Sequence, residues 1–179
     1  NLLKELNRHG RSFPSGLSGL PGIGYILTGG ISPISRSQGI AIDQVVRIEG
    51  LWGNGEFFSK SIPSEDAGAK EVNIWRALCN AGPFLGIITS LKLHTCKIVP
   101  IVVYQAFIDE NKLIELIEEV EKWPKEISLQ WIWSETIKVY IVIKSDLAYK
   151  DKYLQELNYI LGQNPTLERI NCQSIMNIP

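Results

Sequence analysis

The chain has 179 residues, 45% of them apolar and 21% charged, which suffices for one good core or two small ones. Its formal net charge of −1 leaves no electrostatic footprint for nucleic acid or for an anionic membrane surface. No run of about 18 apolar residues is present to span a bilayer, so neither nucleic acid nor membrane is an expected partner.

In chain order, residues 2–9 read as the end of a short helix, with Leu2, Leu3 and Leu6 on one face and Gly10 as the stop. From Arg11 to Gly39 no period is sustained. Gly, Ser and Pro punctuate short apolar scraps there, the signature of a long structured loop of the functional kind. Val45–Leu51 and Glu56–Ser61 read as strands, joined by a hairpin turn at Gly53-Asn54-Gly55. A polar loop covers residues 64–72. Asn73–Asn80 is helical and ended by Gly82-Pro83, and Gly86–Leu93 reads as a buried strand.

The second half changes character. Ile98–Ile108 reads as a strand, with Pro100 marking an edge or a beginning. Asp109 can cap a helix over residues 110–122 whose inward face is Leu113, Leu116, Ile117 and Val120. Ile127–Trp133 alternates, turns at Ser134–Thr136 and returns as Ile137–Ile143. Ser145 or Asp146 can cap a second helix carrying Leu154, Leu157, Ile160 and Leu161, stopped by Gly162 and Pro165, before a short strand near 168–175. The order β-α-β-β-α-β is that of a split, ferredoxin-like sheet with helices on one face, so the fold class is α+β.

Cys79, Cys96 and Cys172 are odd in number and lack CxxC spacing. They fit a reducing, cytoplasmic compartment or at most one disulfide, and they make no metal site. His9 and His94 have no partner at ligand spacing, so no metal is expected. The opening residues Asn1-Leu2-Leu3-Lys4 form neither a signal peptide nor an initiator and read as the interior of a longer chain.

Glycine is the strongest signal. Fourteen of the 15 glycines lie in the first 86 residues. Such crowding brings main-chain amides close to something, either a ligand or the protein's own backbone. The candidates are Gly22-Ile23-Gly24, Gly29-Gly30 and Ser35-Arg36-Ser37-Gln38-Gly39, followed by Asp43 ahead of a strand. Bare amides there can nest a phosphate or lie against a flat ring. Glycine used for turns and packing alone is the competing reading. The Rossmann spacing fails because position 27 is Leu27, no P-loop is present, and the hydrolase elbow fails at Leu20.

Gly22-Ile23-Gly24, Thr28-Gly29-Gly30 and Ser35-Arg36-Ser37-Gln38-Gly39-Ile40-Ala41-Ile42-Asp43-Gln44-Val45-Val46 resemble a stretch of the FAD-linked oxidases of the berberine-bridge and vanillyl-alcohol-oxidase type. The likeness continues through Gly53-Asn54-Gly55, Asn73-Ile74-Trp75-Arg76-Ala77-Leu78 and Gly86-Ile87-Ile88-Thr89-Ser90. The resemblance implies that residues 1–96 are the C-terminal part of a PCMH-type FAD-binding domain and 97–179 the start of the substrate domain. It implies hydride transfer from an alcohol, sugar or amine carbon of a small molecule to FAD, and onward to oxygen or another acceptor.

On that resemblance, Gly22, Ile23, Gly24, Gly29 and Gly30 would run beside the flavin and its ribityl–pyrophosphate chain. Gly86, Ile87 and Ile88 would lie by the adenine side. Asp43 would brace the loop, bond the cofactor's polar tail or cap the following strand. Arg36 is read first as a solvated or loop-bracing side chain and second as a phosphate contact, and Trp75 as core. No catalytic residue is identified. Tyr104, Trp131, Trp133 and Tyr140 are strand aromatics; Trp131 and Trp133 fall on the face expected under the helices, and Tyr140 on the other.

The departures from the family pattern also carry expectations. Its upstream R-x-G-G-H-type loop has no counterpart here, Ser18 replaces the cysteinyl flavin link, and Cys79-Asn80-Ala81-Gly82-Pro83 replaces a glycine run. FAD binding by this chain alone is therefore expected to be weak or absent and the chain alone inactive. It would be completed by a preceding part of the same protein or by a partner subunit. The alternatives are a non-catalytic interaction module, pairing through a strand edge near Ile98–Ile108, and the FAD subunit of a larger redox complex.

Overall fold

The computed structural model describes residues 2–16, 22–147 and 150–178. In chain order its elements are α1 (Leu2–Arg8), β1 (Arg11–Ser12), α2 (Ile23–Leu27), α3 (Ser35–Gln38), a 3-10 turn (Ala41–Gln44), β2 (Val45–Trp52), β3 (Phe57–Ser61), α4 (Ala69–Leu85), β4 (Gly86–Leu93), β5 (Cys96–Lys97), β6 (Ile101–Ile108), α5 (Glu110–Val120), β7 (Ile127–Trp133), β8 (Ile137–Lys144), α6 (Lys150–Leu161) and β9 (Glu168–Cys172). The fold is mixed α/β, and its three- and four-stranded sheets are antiparallel. The chain divides into two compact units, one of residues 1–32 and 39–96, the other of 33–38 and 97–179. Among the described residues no helix is long and apolar enough to cross a membrane.

The first unit carries the sheet β3-β2-β4. Its hairpin closes where Gly55, at φ +84, donates its amide to the Trp52 carbonyl at 2.9 Å. Positive φ at that corner is what the Gly53-Asn54-Gly55 run supplies. Ile48 and Phe58 are buried on one sheet face, with Trp52 stacked on Phe58 at 4.1 Å. On the other face Arg47 pairs with Glu49 at 2.7 Å.

Two expectations are corrected in this unit. Gly82-Pro83 does not end the helix before the last strand: α4 runs on to Leu85, and the break falls at Ala81, with φ −138 and ψ 15. With Ala81 outside helical backbone, Pro83 falls in the first turn of the resumed segment, where proline's missing N–H is tolerated. β4 is not a buried strand either, since it alternates between exposed and half-buried residues. Trp75 is half-buried rather than core.

The second unit carries the sheet β7-β8-β6-β9. On one face Val102, Tyr104 and Ala106 of β6 and Val139 and Ile141 of β8 pack against Leu113 and Leu116 of α5 and Leu154 and Leu157 of α6. Fully burying each of the valine, leucine and isoleucine side chains contributes about 1.5–3 kcal/mol. Asp109 accepts a hydrogen bond from the Lys112 amide at 2.8 Å, the cap expected from sequence. The start of α6 is preceded by residues 148–149, outside the described residues, so the Ser145 or Asp146 cap is described no further.

β6 is flanked by β8 on one side and β9 on the other, so it has no free edge. That corrects the expectation of an exposed strand edge near Ile98–Ile108. Pro100 marks the strand's beginning. Trp131 and Trp133 share the face of Leu129, as alternation requires, but they remain 44% and 60% exposed instead of packing under the helices.

Asp109→Ala is expected to lower the unfolding free energy by about 1 kcal/mol through loss of this cap. A denaturant midpoint that falls at unchanged slope is the measurement.

Candidate functional site

The glycines named from sequence separate into two kinds. Around Gly22, Gly24 and Gly29 an added Cβ would meet nothing within 4 Å among the described residues. At Gly30 a Cβ would come to 2.5 Å from the Ala41 Cβ, and at Gly86 it would collide with the Leu51 carbonyl of the paired strand. Those two glycines are dictated by the protein's own close packing.

Local chemistry explains the first group. Gly22 precedes the one-and-a-half turns of α2, and its carbonyl accepts from Ile26 N at 3.3 Å. The Thr28 hydroxyl donates back to the Gly24 carbonyl at 2.8 Å, closing the helix end. The chain then reverses through Gly29 at φ +122 and Gly30 at φ +75. Their carbonyls accept from Ile42 N at 3.0 Å and Ala41 N at 2.8 Å, pinning the 3-10 turn to the glycine pair. Asp43 on that turn is exposed, and its carboxylate has no hydrogen bond among the described residues, so it does not serve as a cap.

α2 leans on α4 where Gly82 faces Leu27, with Ile88 of β4 at the same point. The structure therefore gathers Gly22 to Gly30, Asp43 and Ile88 into one region of the first unit. Ile87 does not join them. It lies 69% exposed beside Leu51 and Phe57 in a row across β4, β2 and β3. Cys79 of α4 has its thiol pushed up to about 11 by burial and, secondarily, by the nearby Asp43 charge. Ser18, the position of the missing cysteinyl link, lies outside the described residues.

Arg36 makes no use of its charge toward the glycines. Its guanidinium donates to the carbonyls of Val120 at 3.1 Å, Trp123 at 3.1 Å and Ile127 at 2.7 Å. This is the loop-bracing reading taken from sequence. Such a fork suits carbonyls at and past a helix end.

The second unit shows a feature that sequence reasoning missed. Gln130, Tyr140, Gln105 and Glu168 are consecutive register partners across β7, β8, β6 and β9. Alternation places this polar row on the sheet face opposite the helices. Gln105 is buried, and its Nε2 donates to the Glu168 carboxylate. A carboxylate accepts only, so this bond fixes the amide orientation and leaves Gln105 Oε1 buried without a partner. Lys138 stands 5.0 Å over the Tyr140 ring. Sequence offered Tyr140 for this face; the other three were hidden because register, not composition, aligns them. A groove of about 830 Å³ is lined by Phe107, Trp133, Tyr159 and Asn164 among others.

No family model matches the chain. It is 34% identical over 128 residues to the FAD-linked oxidoreductase janO of Penicillium janthinellum, covering 70% of this chain and 26% of that protein. It is 26% identical over 162 residues to berberine bridge enzyme-like 24 of Arabidopsis thaliana, covering 88% of this chain and 28% of that protein. The chain is homologous to the berberine-bridge and vanillyl-alcohol-oxidase type FAD-linked oxidoreductases. It spans about a quarter of the length of these curated relatives.

Solved structures of the family share the fold. A chitooligosaccharide oxidase superposes with a TM-score of 0.75 at 21% identity, covering 96% of this chain and 38% of that one. Physcomitrella patens BBE-like 1 gives 0.70 at 20% identity, covering 94% of this chain and 37% of that one.

Gly30→Ala is expected to cost at least about 2 kcal/mol, combining left-handed strain with the Ala41 clash, whereas Gly22→Ala should be near neutral. Paired thermal unfolding curves of the two variants check this. At pH 8, iodoacetamide should alkylate Cys79 on the order of ten times more slowly than a free thiol, and the rate should climb as pH rises toward 11, followed by mass spectrometry.

Proposed function

We propose that the chain is part of an FAD-linked oxidoreductase, with residues 1–96 as the C-terminal portion of a PCMH-type FAD-binding domain and 97–179 as the beginning of a ferredoxin-like substrate domain. The observation supporting the first assignment is the homology, together with backbone at Gly22, Gly24 and Gly29 that is open to approach among the described residues. The second is supported by the strand order β7-β8-β6-β9 with both helices on one face. Homology to enzymes described as FAD-linked supports the cofactor class.

In this reading Gly22, Ile23, Gly24 and Gly29 present main chain to the flavin and its ribityl–pyrophosphate chain. Gly30 acts one step removed, by fixing the turn through Ala41. Asp43 is available to bond a hydroxyl of the cofactor's tail. Gly86, Ile87 and Ile88 were assigned to the adenine side; of these only Ile88 lies near the glycine region, which makes it the better candidate. FAD, when bound, supplies the hydride acceptor. A small molecule with an oxidisable alcohol, sugar or amine carbon is the proposed substrate. The polar row Gln130-Tyr140-Gln105-Glu168 offers it donors and acceptors.

The bonds expected from the R-x-G-G-H-type loop are not supplied by this chain. Each charge-assisted bond of that kind contributes about 1.5–3 kcal/mol. The chain by itself should therefore bind FAD with a dissociation constant of about ten micromolar or weaker, and without turnover. Quenching of flavin fluorescence on titration should be saturable and should be lost in Gly29→Val. No saturable quenching up to millimolar protein, or an unaffected Gly29→Val, would remove the flavin from this site. A 450 nm flavin band near one per chain in the purified protein would overturn the weak-binding expectation.

A further inference from the structure

Residues 31–40 form a loop whose feet touch. Gly30 and Gly29 at one foot accept hydrogen bonds from Ala41 and Ile42 at the other, at 2.8 and 3.0 Å. The chain leaves the first unit after Ser32 and returns at Gly39, which sits at φ +78. This is the geometry of an Ω-loop, compact and closed at its base. Its tip, Pro33–Gln38, is built into the second unit.

Side chains of Arg36 and Ser128 are among the anchors of the tip. The Arg36 guanidinium reaches three carbonyls at the end of α5 and the start of β7, those of Val120, Trp123 and Ile127. The Ser128 hydroxyl, buried on β7, donates to the Pro33 carbonyl. A charged fork on backbone carbonyls costs little reorganisation, because the guanidinium is planar and always protonated.

We infer that Arg36 is a positioning residue for the glycine pair Gly29-Gly30. By clamping the loop's tip, it restricts the motion of both feet and so holds the two carbonyls against the 3-10 turn. That the pair faces a flavin rests on the reading proposed above; the positioning itself does not.

Hydrogen exchange of the full chain, resolved to single amides, tests it. In Arg36→Met the Ala41 and Ile42 amides should exchange at least about ten times faster, while Ile48 and Gly50 of β2 keep their protection. Faster exchange confined to Trp123, Ile127 and their neighbours would mean that Arg36 merely caps α5, and would overturn the inference. If Arg36→Met fails to fold, Ser128→Ala decides: loss of one anchor should speed Ala41 and Ile42 by about fivefold, and no change there sinks the proposal. Arg36→Lys, which keeps the charge but not the fork, should fall between wild type and Arg36→Met. Because no cofactor enters the measurement, its outcome is independent of whether FAD binds.

Discussion

The central strand of the second unit governs what each face can do. β6 is register-paired from Ile101 to Ile108 with β8 and from Ile101 to Gln105 with β9. Backbone hydrogen bonds on both sides fix its alternation, and a slip by one residue would exchange its faces. Val102, Tyr104 and Ala106 therefore go under the helices, and Gln105 goes to the opposite side with Tyr140 and Glu168. The same register that builds the core assembles the polar row. The core's stability and the row's chemistry cannot be altered independently.

Glycine does two jobs in the first unit, and only coordinates separate them. At Gly30 and Gly86 the missing Cβ makes room for Ala41 and for the Leu51 carbonyl. At Gly22, Gly24 and Gly29 none of the described residues fills the space. A sequence shows the residue type and not the neighbour. Crowding of glycine therefore indicates an unusual backbone without saying which positions are packed against the protein itself.

Much of the second unit was legible because its patterns are local. The Asp109 cap, the inward Leu113 and Leu116, and the Ile127–Trp133 alternation each depend on residues within one element. The exposure of Trp131 and Trp133 was not legible, since it depends on how far helices from elsewhere in the chain extend over the strand. The α4 kink at Ala81 escaped for a related reason: Gly82-Pro83 reads as a stop, yet proline also suits the opening turn of a resumed helix. Neither the polar row nor the three acceptors of Arg36 has a sequence signature, because each joins residues dozens of positions apart.

The excursion of residues 33–38 also determines how this polypeptide can be divided. A cut at 96/97 follows the linear order, but it would strand six residues of the second unit on the wrong piece. The excised C-terminal half would expose the carbonyls of Val120, Trp123 and Ile127 and the hydroxyl of Ser128 to solvent. The two units are thus non-contiguous in sequence, and recombination or grafting of either one would have to carry the inserted hexapeptide along.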